Sequence, residues 1–161
     1  MENEKKEESR AYFPMFVDIR GKKILIVGAG TIAARRAEAL LGFGPDLTVV
    51  APEISEKILE LAEKGCLQVR TRAYQTGDCQ GCWMVLAASD DPKLNAQVCK
   101  EAKEAGAVVN NASDRTQCDF YFPGLIRRGP AVIGINAGGA DHKLAKALRI
   151  QIEKGLKSPE S

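Results

Sequence analysis

Apolar residues recur along this chain in two alternating textures. Short, nearly continuous apolar runs occupy "KILIVG" (23–28), "LTVVAP" (47–52), "LQVRTRAY" (67–74), "CWMVLAAS" (82–89), "AVVNNAS" (107–113) and "AVIGINA" (131–137). Between and after them, "TIAARRAEALLGFG" (31–44), "ISEKILELAEKG" (54–65), "DPKLNAQVCKEAKEAG" (91–106) and "DHKLAKALRIQIEKGL" (141–156) space their apolar positions as helices do. The first texture predicts strands, and the first, second and fourth runs are apolar enough to be covered on both faces. Strand and helix in alternation predict an α/β fold: a doubly wound, mostly parallel sheet with right-handed crossovers and a short C-terminal strand–helix extension.

The first run leads into the motif with the clearest chemistry, Gly28-x-Gly30-x-x-Ala33 within "ILIVGAGTIAARRAEALLGFG". After a strand and before a helix, Gly28 suits a tight turn, Gly30 lets a pyrophosphate approach the backbone, and Ala33 permits close helix–sheet packing. The helix start at Thr31 and Ile32 offers free N–H groups to that phosphate. The plainer alternative is that the glycines only pack the helix against the sheet. Where an acidic residue often holds the adenosine ribose at the end of the second strand, this chain has Ala51, then Pro52 and Glu53. Glu53 either reaches the ribose, which disfavours a 2′-phosphate and favours NAD over NADP, or serves as first-turn acid of the next helix. Beyond the fourth strand, Ala88 and Ser89 are expected to line the nicotinamide side, with Asp90 or Asp91 capping the helix that follows. This is a Rossmann-type arrangement.

Bulk properties narrow the setting. With 161 residues, 45% hydrophobic and 27% charged, the chain can build one core, or one core and a small appendage. The net charge of +2 speaks against general nucleic-acid binding, and no apolar run is long enough to suggest a membrane helix. The opening "MENEKKEESRAYF" lacks the apolar centre of a signal peptide, so residues 1–12 are expected to be a disordered lead-in and the protein cytoplasmic. Five cysteines, an odd number, fit reduced thiols. Cys79-x-x-Cys82 looks like half a zinc site or a redox pair, but no second pair follows and the single histidine, His142, is distant. A turn between strands is the better reading, and no metal site is expected.

Taken in order, "FPMFVDIRGKKILIVGAGTIAARRA", "LTVVAPEIS", "LAASDDPKLN", "NNASDRTQCDFYFPGLIRRGP" and "INAGGADHKLAKALR" resemble the precorrin-2 dehydrogenase family, the NAD-binding part of siroheme synthase. The resemblance runs from Phe13 to Arg149. It implies that NAD⁺ accepts a hydride from the tetrapyrrole precorrin-2 to give sirohydrochlorin, that some members also insert Fe²⁺, and that the protein is a homodimer. Members usually continue into a helical dimerisation region beyond the point where this chain reads "QIEKGLKSPES". The resemblance also implies an aspartate, acting as base, in the loop after the fifth strand. Ser113 stands at its usual position and Asp114 follows, so Asp114 is the expected base; its alternative role is to cap the loop as an Asx turn.

Other expected substrate contacts are Asn110, Asn111, Ser113, Gly138 and Gly139. The substrate's carboxylates are expected to meet Arg115, Arg127, Arg128 and Lys143, which otherwise form a solvated surface. Family members commonly carry hydroxyl residues where "NAGGADHK" has Asn136, Ala137 and Asp141, and His142 is expected at a helix start. The expected organisation is a lead-in (1–12), an NAD-binding domain (13–113) and a substrate-site and dimerisation segment (114–161), whose last helix shows an apolar face through Leu144, Ala147, Leu148 and Ile150. Two rival functions are an NAD-sensing regulatory domain without turnover, and a metal-chelating tetrapyrrole-binding protein using Asp114 and His142.

Overall fold

The computed structural model describes residues 12–138 and 141–156, and its regular elements follow the alternation of apolar runs and helical patterns. Gly139, residues 1–11 of the expected lead-in and residues 157–161 lie outside the described residues. Strands β1 (Lys23–Val27), β2 (Asp46–Ala51), β3 (Gln68–Thr71), β4 (Met84–Ala87) and β5 (Val108–Asn111) form one parallel sheet in the order β3-β2-β1-β4-β5. Helices α1 (Thr31–Leu41), α2 (Glu56–Glu63) and α3 (Pro92–Glu104) make the crossovers. This is the doubly wound fold the pattern predicts.

Burial explains why the central runs are so apolar. Ile24, Leu25, Ile26, Val49, Val50, Val85, Leu86 and Ala87 are all buried, because helices cover both faces of β1, β2 and β4. On one face Leu25, Val27, Val50, Val85 and Val109 pack with Val98, Cys99 and Ala102 of α3. On α1, Ala33 and Ala37 are fully buried, and their small side chains let the helix lie close to the sheet. β3 is an edge strand with one partner, and its residues are correspondingly exposed.

Two compact units divide the chain. One is Val17–Phe120; the other comprises the described parts of Met1–Phe16 and Tyr121–Ser161. Residues 114–120, grouped by sequence with the C-terminal segment, fall in the first unit. The reason is pairing at the β5 edge. The Val109 N–H donates to Asp119 Oδ2 at 2.9 Å, the Asp119 N–H donates to the Val109 carbonyl at 2.9 Å, and Asn110 Nδ2 donates to the Phe120 carbonyl at 2.8 Å.

The second unit holds an element the apolar pattern did not predict. β6 (Gly124–Arg128) pairs antiparallel with β7 (Ala131–Ile135), and α4 (His142–Gly155) follows. The expected single strand is therefore half of a hairpin, closed by Gly129 and Pro130, with Gly129 at φ 56°. "GLIRRGPAVIGI" did carry a signal, two short runs about a Gly-containing two-residue turn, but β6 is brief and ends in two arginines. No residue of α4 is buried, and Ile126 is the buried hydrophobic among the unit's described residues.

Candidate functional site

A parallel sheet that runs outwards in both directions from its middle leaves a crevice beyond its carboxyl ends, here where β1 lies beside β4. The two glycines at the end of β1 do different work. Gly28 sits at φ 106°, its N–H bonds the Val50 carbonyl at 2.9 Å, and a Cβ there would overlap the Ala88 carbonyl and lie 2.7 Å from the Ser89 nitrogen. Only glycine fits. Gly30 has φ −81° and nothing within 4 Å of a Cβ position, so neither its backbone nor its protein neighbours demand glycine. The open space above it is what a pyrophosphate would use.

Helix α1 begins at once beyond it. No side chain caps α1 and no acid lies in its first turn, while Thr31 and Ile32 are exposed. Free N–H groups and the positive end of the helix dipole therefore face outwards without a competing carboxylate. The loop after β2 is drawn to the same place, since the Ser55 N–H donates to the Ala29 carbonyl at 3.3 Å. Pro52 and Glu53 are exposed in that loop. Glu53 lies ahead of α2, whose N-cap is Ser55 and whose first-turn acid is Glu56, so the helix-dipole role belongs to Glu56. A cavity of about 280 Å³ between α1 and α2 is lined by Thr31, Ala34, Arg35, Glu38, Ser55 and Lys57. Ser55 Oγ is buried with no partner, and a sugar hydroxyl entering the cavity would satisfy it. The residues present thus fit a dinucleotide. Ser55 and Arg35 were not foreseen, because nothing in their spacing marks them before α1 and α2 meet.

At the ends of β4 and β5 the structure brings Ser89, Asn110, Asn111, Ser113 and Asp114 into one region of the first unit. The Ala88 N–H donates to the Val27 carbonyl at 2.8 Å, holding that loop to the glycine turn. The Ser89 hydroxyl lies 2.7 Å from Asn95 Oδ1 and 3.1 Å from the Asp91 carbonyl, so it is turned into its own loop. Asp91 caps α3 by accepting from the Lys93 N–H at 2.9 Å, with Pro92 at the first helical position. Asn111 Oδ1 accepts from the N–H (2.9 Å) and hydroxyl (2.8 Å) of Ser113, and its Nδ2 donates to Gln117 Oε1 at 3.1 Å. Asn110 spends Nδ2 on backbone and keeps a buried Oδ1 without a partner.

Asp114 takes the capping role. It is the N-cap of a short 3₁₀ turn, Arg115–Gln117. Its Oδ1 accepts from the Thr116 N–H at 2.9 Å and hydroxyl at 2.6 Å, and its Oδ2 from Gln117 Nε2 at 3.1 Å. The Thr116 donors, and then Gln117, hold its carboxyl below the ordinary range.

The remaining expected residues belong to both units. Arg115 is exposed in the 3₁₀ turn. Arg127, Arg128, Gly138 and Lys143 belong to the second unit. There the two arginines end β6, Gly138 has φ 67°, and exposed Lys143 and His142 open α4 beyond its cap Asp141. Cys79-x-x-Cys82 forms a turn, with the Cys82 N–H donating to the Cys79 carbonyl at 3.2 Å. Burial pushes both thiols up, and Cys79 Sγ lies 3.2 Å from the Tyr74 hydroxyl. Among the described residues, no group of three or more His, Cys, Asp or Glu side chains is placed to hold a metal.

A glycine turn at the switch point of a doubly wound sheet, followed by an uncapped helix, defines a dinucleotide-binding protein of Rossmann type. The chain belongs to the family described as "Putative NAD(P)-binding", whose model matches residues 15–124. It is similar to siroheme synthase from Nitrosococcus oceani, 37% identical over 142 residues, 88% of this chain and 30% of that protein. It is also similar to siroheme synthase from Pseudomonas putida, 39% identical over 147 residues, 91% of this chain and 32% of that protein. The chain thus spans about a third of the length of these relatives. Among solved structures it resembles SirC, a precorrin-2 dehydrogenase, with a TM-score of 0.78 and 29% identity, covering 91% of this chain and 72% of that one.

Proposed function

We propose that this protein is an NAD-dependent precorrin-2 dehydrogenase, producing sirohydrochlorin. The observation that carries the reading is the meeting, at one end of the sheet, of an open glycine turn with a polar loop ending β5. Its similarity to a precorrin-2 dehydrogenase across nine-tenths of the chain supports the same chemistry. Gly28, Gly30, Thr31 and Ile32 hold the pyrophosphate, Pro52 and Glu53 face the adenosine ribose, and Ala88 and Ser89 face the nicotinamide. A bound NAD⁺ supplies the hydride acceptor. The protein must then accept a proton, and Asp114 is the group proposed to do so. Its three donors keep it ionised to low pH, which fixes its charge state and makes it a weak base. Within the first unit, Asn110, Asn111 and Ser113 are the proposed substrate contacts and Arg115 the proposed partner of a substrate carboxylate.

The decisive experiment is anaerobic NADH formation from precorrin-2 and NAD⁺. An inert protein that still binds NAD⁺ would turn the reading towards a sensor. Fe²⁺ is proposed to enter as a second substrate, tested by siroheme formation when Fe²⁺ is added to the same assay. A homodimer is proposed to cover the exposed Leu144, Leu148 and Ile150 of α4 and the exposed Phe13, Met15 and Phe16. The five free thiols favour a cytoplasmic setting.

A further inference from the structure

Asn95 lies in the second turn of α3 and is completely buried, an expensive place for an amide unless every polar atom is used. All of it is used. Oδ1 accepts from the Ser89 N–H at 3.0 Å and lies 2.7 Å from the Ser89 hydroxyl. Nδ2 donates to the Ser89 carbonyl at 2.9 Å and to Ser113 Oγ at 3.1 Å. A backbone N–H can only donate and a carbonyl only accept, so Ser89 permits one orientation of the amide. That orientation sets the Ser113 hydroxyl, while the Ser113 N–H independently orients the Asn111 amide. Because Ser113 Oγ accepts from Asn95, its own proton goes to Asn111 Oδ1 at 2.8 Å; Asn111 Nδ2 then donates to Gln117, and Gln117 Nε2 to Asp114. One buried side chain thus ties the loop after β4 to the loop after β5.

We propose that Asn95 is a positioning residue, whose amide locks the cofactor-side loop at Ser89 and the substrate-side loop at Ser113 into a single register. The inference rests on the proposed dehydrogenation, in which those loops present the two reactants to each other. Asn95 touches neither; it acts through Ser89 and Ser113. Hydride transfer depends steeply on alignment, so a loosened register lowers the rate more than it lowers cofactor affinity.

Asn95→Asp tests this. The introduced carboxylate keeps the acceptor but loses both donors and sets a second oxygen against the Ser89 carbonyl; protonation restores one donor. At pH 8 the variant's kcat is expected to fall about 10- to 100-fold. NAD⁺ affinity should stay within about threefold, since the pyrophosphate contacts at Gly30 and α1 are untouched. Burial raises the carboxyl's pKa, so the variant's activity relative to wild type should recover as pH falls towards about 6. Ser113→Ala, alone and combined with Asn95→Asp, should be non-additive: the double variant no slower than the slower single.

Amide hydrogen exchange supplies a readout without turnover. Residues 111–118 should exchange about tenfold faster in Asn95→Asp, while the β1–α1 segment is unchanged. Additive effects, an activity ratio flat with pH, or equal losses in kcat and NAD⁺ affinity would overturn the role. A wild-type protein that forms no NADH overturns the proposed function instead, and exchange at 111–118 then decides the clamp, equal rates in the two proteins rejecting it.

Discussion

The two units of this chain spend their apolar residues differently. In Val17–Phe120, strands β1, β2 and β4 bury nearly everything apolar they carry, under helices supplied by the same unit. In the other, α4 carries Leu144, Leu148 and Ile150, each more than a third exposed, and Phe13 is 90% exposed. A parallel sheet needs its crossover helices and so brings its own cover. A hairpin and one helix carry too little apolar surface to enclose a core. The first unit thus encloses its own core, whereas the second leaves an apolar helix face exposed.

That contrast is sharpest where chemistry or folding is struck directly. Asp114→Asn keeps the shape and the Oδ1 acceptor of the cap but removes the basic carboxylate. The rate of NADH formation should fall about 10²–10⁴-fold with NAD⁺ binding retained, and a loss below about tenfold would reject the base. Ser113→Asp is its companion: activity rising there, with Asp114→Asn silent, would move the base to position 113. In the core, Leu25→Ala should cost about 2–5 kcal/mol in denaturant unfolding. The equivalent cut in α4, Leu148→Ala, should cost less than about 0.5 kcal/mol in a monomer, rising only if a partner covers it. Equal costs at the two positions would dissolve the distinction between the units.

Gly30→Val should weaken NAD⁺ binding at least about 100-fold, roughly 2.7 kcal/mol, with the unfolding midpoint unchanged. Titration calorimetry beside thermal melts separates the two; unchanged affinity in the folded variant would remove the pyrophosphate from this turn. Replacing both Leu144 and Leu148 by Asp should leave the melt of the first unit alone but shift sedimentation from dimer to monomer. A wild-type protein that is monomeric at high micromolar concentration would already refute the dimer.

The smallest effect concerns the β3 edge. Arg72 donates to Asp78 at 2.7 and 2.8 Å and holds its carboxyl low, with the Gln75 N–H and Arg70 adding to the effect. A depressed folded pKa contributes stability above the unfolded value, near about 3.9, and loses it as pH falls through the folded value. Asp78→Asn should therefore be destabilising at pH 7 and converge with wild type in strong acid, as urea midpoints at several pH values would show.

The sequence by itself determined the sheet, its crossovers and the glycine turn. Each is written in short-range spacing: continuous apolar runs for strands buried on both faces, helical periodicity between them, and Gly28-x-Gly30-x-x-Ala33 at a strand's end. Tertiary structure decided the rest. β6 emerged only when "GLIRR" found β7, since a short strand ending in two arginines is weakly apolar and its hairpin signal rests on the turn alone. The division after Phe120 depended on Asp119 pairing with Val109, ten residues away, and the cavity beside Ser55 on where α1 and α2 meet. The cap at Asp114, foreseen as its alternative role, stays local through Thr116 and Gln117, whereas Asn95 became a clamp by reaching Ser113, eighteen residues on. Periodicity reports which face of an element is buried, while a polar side chain's partner depends on directed bonds to atoms that only the folded chain brings within 3 Å.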